Sequence, residues 1–403
     1  MIGLVGFDDP VGPVPAVASL LTALLTAALL HKRFGVSASQ GRYASIDGLR
    51  GFLAFLVFIH HSAVWYFYLK TGHWTSPPSN LYVYFGQGSV GFFFMITGFL
   101  FFSKLLEGRH RPVDWLKLLV SRVLRLLPMY LFAIGLLLLI VYFVSGGVLN
   151  DPMPILSKNI VRWVGFTIKS APDLNGVKQT YIIVAGVFWS LPYEWLFYLS
   201  LPILSLAVLR IPPLPYFLIS LFCLGVFVYI GRINPELLLP FFGGIAGSFL
   251  VRLNVFCRYA AKTALSPLVV AFIAGAVVFY DSAWEAGAVF LLSSAFVLIA
   301  AGNTLFGILV HPVSRVLGEM AYSIYLLHGM VLYVLFNFVV GSTAATEFSV
   351  SVHWLWIVGI TPIVVLLSFA TFHWIEAPAM RATPWVTVWL RSKITIFSKE
   401  AAQ

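Results

Sequence analysis

Arg50, His60, His61, Glu194, His328, His373 and Glu376 stand out in this 403-residue sequence as ionisable side chains within or at the ends of long apolar runs. Placing charge in an apolar slab is costly, so such residues either meet a partner or take part in function. Their types define the chemistry on offer. An imidazole can accept and return a proton near neutral pH. A carboxylate can orient that imidazole or act as a base itself. A guanidinium can hold phosphate or carboxylate oxygens through paired hydrogen bonds. The eleven-residue spacing brings His61 to within about 20° of Arg50, roughly 16 Å further along a helix, so the two share a face without touching.

The elements that must position these residues are read from composition. Sixty per cent of the chain is hydrophobic and 10% charged, against about a quarter charged in an ordinary soluble domain. The mean hydropathy of +0.94 is spread along the chain in blocks near the ~20 residues that cross ~30 Å of hydrocarbon as helix. Strands of a membrane barrel would alternate apolar and polar residues over ~10-residue segments. Runs such as LLTALLTAALL and LFAIGLLLLIVYFV do not alternate. The expected fold class is therefore all-α, a polytopic transmembrane helical bundle of about eleven spans. These lie near 15–30, 48–69, 84–106, 127–146, 187–209, 214–231, 236–254, 266–281, 284–302, 322–341 and 354–375. The longest loop, about 147–186, is too short for a separate soluble domain, and no internal repeat is visible.

Lys and Arg collect in alternate loops and in the tail, which predicts an N-terminus outside and a C-terminus in the cytosol. That bias accounts for the net charge of +10 without nucleic acid as a partner, since no basic patch is interleaved with aromatic residues in a soluble stretch. The first apolar run follows Asp8 and Asp9 and precedes His31-Lys32-Arg33, a charge order that suits an uncleaved anchor rather than a signal peptide. Cys223 and Cys257 fall in or beside different spans and give neither a disulfide framework nor metal-ligand spacing. No Walker or dinucleotide fingerprint appears.

A resemblance adds to this reading. Ile46-Asp47-Gly48-Leu49-Arg50-Gly51, followed by an apolar stretch and His60-His61, resembles the opening signature of the acyltransferase type 3 family of membrane O-acyltransferases. Gly91 through Leu100 is similar to that family's second-helix motif, in which aromatic residues precede a Ser/Thr-Gly-Phe turn. Arg122, Arg125 and Pro128 match its Arg-x-x-Arg-x-x-Pro stretch. Trp189-Ser190-Leu191-Pro192-Tyr193-Glu194 resembles its Trp-Ser-Leu…Glu segment, with Trp195 where many members have a second Glu. Tyr322 through His328 and Ile375-Glu376-Ala377-Pro378 fit its last two helices. Each motif alone is weak, and their specificity comes from all of them standing in one order. The sequence departs from the pattern in its extra N-terminal helix, and these residues include no extracytoplasmic esterase-like domain of the kind some members carry.

The apolar runs and the resemblance together give an expected organisation of an extra transmembrane helix and cytoplasmic linker over 1–45, a ten-helix membrane acyltransferase domain over 46–380 and a cytoplasmic tail over 381–403. It also implies transfer of an acyl group, commonly acetyl from acetyl-coenzyme A, to a hydroxyl of a carbohydrate or glycolipid in a bacterial inner membrane. His61 is then the expected general base, being at the family histidine's spacing from Arg50. Span 187–209 runs inward, which puts Glu194 about 10 Å from the outer surface, at a depth similar to that of His61, and makes it the candidate to orient that imidazole. Arg122 and Arg125, three residues apart on one helix face, join Arg50 as candidates for the phosphates of the donor.

Each residue also has an ordinary explanation. Arg50 can be an interfacial anchor paired with Asp47, and Arg122 and Arg125 can be positive-inside anchors. The histidines can be polar glue between helices. Glu376 and His373 can pair structurally at a helix end. A transporter or flippase for a sugar or acyl compound is the rival function, because intramembrane Arg, His and Glu also line transport paths. A purely structural scaffold is disfavoured by the cost of so many intramembrane charges.

Overall fold

The computed structural model describes residues 6–34, 43–107, 113–231 and 233–400. Residues 35–42 of the expected linker and 401–403 of the expected tail lie outside the described residues. Among the described residues all repeating structure is helical, with one isolated antiparallel bridge between Leu174 and Val177. The helices are α1 (Pro13–Phe34), α2 (Ala44–Thr71), α3 (Asn80–Glu107), α4 (Trp115–Val144), α5 (Met153–Val164), α6 (Leu191–Leu204), α7 (Leu214–Ile230), α8 (Leu239–Leu250) and α9 (Asn254–Ala260). They continue with α10 (Ser266–Phe279), α11 (Ala286–Ala300), α12 (Pro312–Glu319), α13 (Ala321–Val334), α14 (Ser342–Thr346), α15 (Val350–Thr371), α16 (Ala377–Arg381) and α17 (Thr383–Glu400).

All eleven apolar runs are helical, and this is an integral membrane protein. Seven helical stretches are long and apolar enough to cross a bilayer, or up to eight when the pair Pro235–Leu250 and Asn254–Ala260, bent by 111°, is taken as one span. The expected count of about eleven is not reached by this measure, because Leu214–Ile230, Thr263–Phe279 and Ala286–Ala300 are shorter. At ~1.5 Å per residue, a helix of about 15 residues covers ~22 Å, less than the ~30 Å of a hydrocarbon core.

Helix α2 is the axis on which the site is built. It packs against α3 on one flank and against α12 and α13 on the other. Helix α3 in turn lies along α8, and α8 packs on α11. The approach of α2 to α12 and to the 3-10 turn Ile308–Val310 just before it explains the glycines around Arg50. A Cβ on Gly48 would sit 1.8 Å from the Leu309 carbonyl oxygen, and one on Gly318 would sit 1.8 Å from that of Asp47. Glycine costs about 1 kcal/mol relative to alanine inside a helix, but only glycine lets two backbones touch here.

The segment after α5 is folded rather than slack. Asn175 Oδ1 accepts hydrogen bonds from the amides of Asn150 (2.8 Å) and Asp151 (3.3 Å), and Trp163 Nε1 donates to Pro172 O at 2.9 Å. Two short 3-10 turns, Thr180–Val184 and Val187–Ser190, then lead into α6. Between them Ala185 (φ 49°) and Gly186 (φ 70°) are both left-handed. Gly329 of α13 packs directly on this bend: a Cβ there would lie 2.5 Å from Val184 C and 2.7 Å from Ala185 N. At the start of α4, Asp114 caps the helix by accepting from Lys117 N at 3.1 Å. It also pairs with Arg391 of α17 at 2.8 Å. Partial burial pushes the Asp114 carboxyl up, but the Lys117 amide and the Arg391 guanidinium outweigh it and hold the group below the usual carboxylate range.

Candidate active site

Two clusters lie along α2, one around Arg50 and one around His61. The Arg50 cluster is a cavity of about 310 Å³ whose charged and hydroxylated walls include Arg50, Lys104, Arg122, Arg125, Glu194, Tyr198, Tyr322 and Tyr325. Helices α2, α3, α4, α6 and α13 each supply part of it. The Arg122 guanidinium stacks on Phe101 (4.8 Å) and Tyr198 (5.9 Å). The Tyr198 hydroxyl donates to Glu194. Arg125 Nη1 contacts Met380 Sδ at 2.8 Å, and its Nη2 is buried without a partner among the described residues.

A second cavity of about 560 Å³ shares Arg50, Arg125 and Met380 with the first and adds Asp47, Arg315, Glu319, His373 and Arg381. The two therefore meet at a wall of arginine side chains. Just behind it, Glu376 is 1% exposed and accepts from Ser323 Oγ, which itself accepts from Thr371 Oγ1 at 3.0 Å. Phosphate-sized anions suit such a place, because guanidinium groups donate in a planar fork that matches their oxygens.

Around His61 the chemistry is neutral. His61 Nδ1 lies 3.0 Å from Val57 O and 3.1 Å from His328 Nε2. His328 is fully buried, and its Nδ1 lies 2.9 Å from Ile324 O. Trp74 stacks beside the His61 ring at 6.4 Å. The clusters are joined by α13. Tyr322, Tyr325 and His328 recur every three residues along it, and the Tyr325 and His328 rings are 6.3 Å apart. Tyr322 donates to Leu126 O at 3.1 Å, whereas the Tyr325 hydroxyl is 2.7 Å from Ser190 Oγ. This stripe of hydroxyls begins in the arginine-lined cavity and ends on the histidine pair.

The structure thus brings Arg50, Arg122, Arg125 and Glu194 to one cavity and puts His61 outside its walls. Glu194 is not the neighbour of His61. Its partner is Tyr198, one turn on in α6, because similar depth in a bilayer says nothing about which way a side chain points around its helix. His60 turns to Tyr82 O at 2.7 Å. The expected pairing of Glu376 with His373 is also replaced, by Ser323. Residues 372–376 wind as a π turn, whose greater number of residues per turn takes the i and i+3 side chains to different sides. His373 stacks on Phe369 at 6.0 Å instead.

Lys104, Arg315, Arg381, Tyr322 and Tyr325 were not picked out as site residues from sequence. The three-residue period of Tyr322, Tyr325 and His328 was the available signal, since it places all three along one side of a helix. Among the described residues no three His, Cys, Asp or Glu side chains converge as a metal site. Cys223 and Cys257 are free and line neither cavity of the Arg50 end.

A family model for an acyltransferase domain, of type 3, matches residues 43–373. No curated protein and no solved structure matches the chain. The matched stretch takes in Arg50, His61, Arg122, Arg125, Glu194 and His328.

Proposed function

This chain belongs to the type 3 acyltransferase family, and from that premise we propose that it moves an acetyl group from acetyl-coenzyme A to a hydroxyl of a carbohydrate or glycolipid. The observation that carries the reading is the pair of arginine-walled cavities whose hydroxyl stripe runs to His61. In this reading the phosphates of the donor lie among Arg50, Arg122 and Arg125, with Lys104 beside them. The thioester end extends past Tyr322 and Tyr325. The arginine end faces the cytosol of a bacterial inner membrane, with the N-terminus outside and the C-terminus inside, in keeping with the distribution of basic residues.

His61 takes the proton of the acceptor hydroxyl as its oxygen attacks the thioester carbonyl. A C–O bond forms, the C–S bond breaks, and the proton held by His61 passes to the departing thiolate. Direct transfer of this kind needs one base and no protein nucleophile. A second reading, transport of an acyl or sugar compound without chemistry, predicts no thiol release. The test is to incubate purified protein with acetyl-coenzyme A and a glycan acceptor mixture and to titrate free thiol. Acceptor-dependent release is expected, together with new acetyl esters by mass spectrometry of surface glycans from cells that carry the chain. Transport of the acceptor with no thiol released would overturn the reading.

A further inference from the structure

The proposed base is oriented by a second histidine rather than by a carboxylate. The constraint begins at Ile324. Its carbonyl oxygen can only accept, so His328 Nδ1, 2.9 Å away, carries the hydrogen. A neutral His328 is then left with a lone pair on Nε2. The same logic applies to His61, whose Nδ1 lies 3.0 Å from the Val57 carbonyl oxygen and so also carries a hydrogen. That N–H has a second acceptor 3.1 Å away, His328 Nε2. The carbonyl of the preceding helical turn thus favours the Nδ1–H tautomer in each ring, and in that state the two meet donor to acceptor.

We propose that His328 is a positioning residue that holds His61 with its lone pair on Nε2, the nitrogen that removes the acceptor's proton. This rests on the acyl-transfer reading above and specifies how its base is set. His328 is fully buried and is held from Ile324 on one side and His61 on the other, so it acts through His61 and not on substrate. When His61 takes the hydroxyl proton on Nε2, its Nδ1–H stays bonded to His328 Nε2, and the positive charge is shared with a neutral, polarisable ring. The backbone of Ala185 lies beside the His61 ring as well, where its carbonyl can receive a hydrogen bond from the cationic imidazole. A buried carboxylate in the place of His328 would instead need its own counter-charge.

The experiment compares His328→Leu with His328→Gln in purified protein. Gln can present a carbonyl oxygen where Nε2 stood, and Leu has no acceptor. Expected for Leu is a roughly 10- to 100-fold fall in kcat, the usual effect of losing the partner that orients a functional imidazole. The KM for acetyl-coenzyme A stays within about twofold, and Gln restores much of kcat. Leu and Gln equally impaired, or Leu as active as wild type, would overturn the proposal. NMR of the ring carbons and nitrogens in histidine-labelled wild-type protein gives a readout independent of activity. Signals of an Nδ1–H tautomer at His61 support the proposal, and an Nε2–H tautomer defeats it. His61→Ala separates the two ideas. If that variant acylates normally, the base assignment itself fails; if it is inactive while His328→Leu is normal, only the role of His328 fails.

Discussion

The two ends of α2 solve different problems by different means. Around Arg50 the smaller cavity has four cationic side chains and a single carboxylate, Glu194, among its described walls. Under the proposed function, recognition there is by charge, which acts over several ångströms and tolerates small displacements. Around His61 the neighbouring groups are neutral, and each imidazole is aimed by the carbonyl of the turn before it. Hydrogen bonds weaken steeply with angle, so that end works by direction. Under the proposed function, a shared helix with two such ends keeps donor binding and proton transfer separable, which is testable.

The largest effect belongs to His61→Ala. Loss of a general base typically costs 10²- to 10⁴-fold, so kcat should fall by about that much. Donor affinity, measured by acetyl-coenzyme A titration, should stay near wild type. A parallel loss of affinity would mean that the two ends are one site. Next come Arg122→Ala and Arg125→Ala. Charge-assisted hydrogen bonds contribute about 1.5–3 kcal/mol, so each variant should weaken donor binding by roughly one to two orders of magnitude while kcat at saturation holds. Wild-type affinity in both would remove the donor from this cavity.

Glu194→Gln sharpens the comparison from the other side. With Tyr198 as its partner and Arg122 close by, Glu194 belongs to the charged end. Its neutralisation should change donor KM by a few-fold and leave the pH profile of kcat in place. A loss of kcat as large as that of His61→Ala would return Glu194 to the proton-transfer machinery. The smallest effect is that of Arg391→Ala. The Asp114–Arg391 pair is 42% and 57% exposed, and exposed ion pairs are worth about 0.2–1 kcal/mol. Because Asp114 is held below its ordinary pKa, the pair's contribution is present above the unfolded value of 3.8 and fades as pH falls through the lower folded one. Thermal unfolding in detergent should show a small wild-type advantage at neutral pH that vanishes in acid, with catalysis unchanged.

What the sequence made legible was local. The helical apolar runs, the common face of Arg50 and His61, and the pairing of Arg122 with Arg125 all follow from helical period and residue type. The misplaced residues needed rotation about an axis or contact across the chain. Span direction gives Glu194 a depth, but only the packing of α6 fixes its direction. His328 stands 267 residues from His61, and no local pattern brings them together. The loop after α5 was read as length alone. Its shape depends on Asn175, whose side chain ties amides that lie 24 and 25 residues earlier.

Gly329 also dictates an order of construction. The bend at Ala185–Gly186 is left-handed backbone between two 3-10 turns, and buried backbone of this kind needs protein around it. Its cover is α13, which leaves the ribosome long after α2 and the bend itself have been made. His61 is therefore synthesised early and waits through most of translation for the helix that brings both Gly329 and His328. A chain interrupted before α13 would have the arginines and the base but neither the closed bend nor the oriented ring. Such a fragment also lacks Tyr322 and Tyr325, so the Arg50 cavity is left open on the side that α13 supplies.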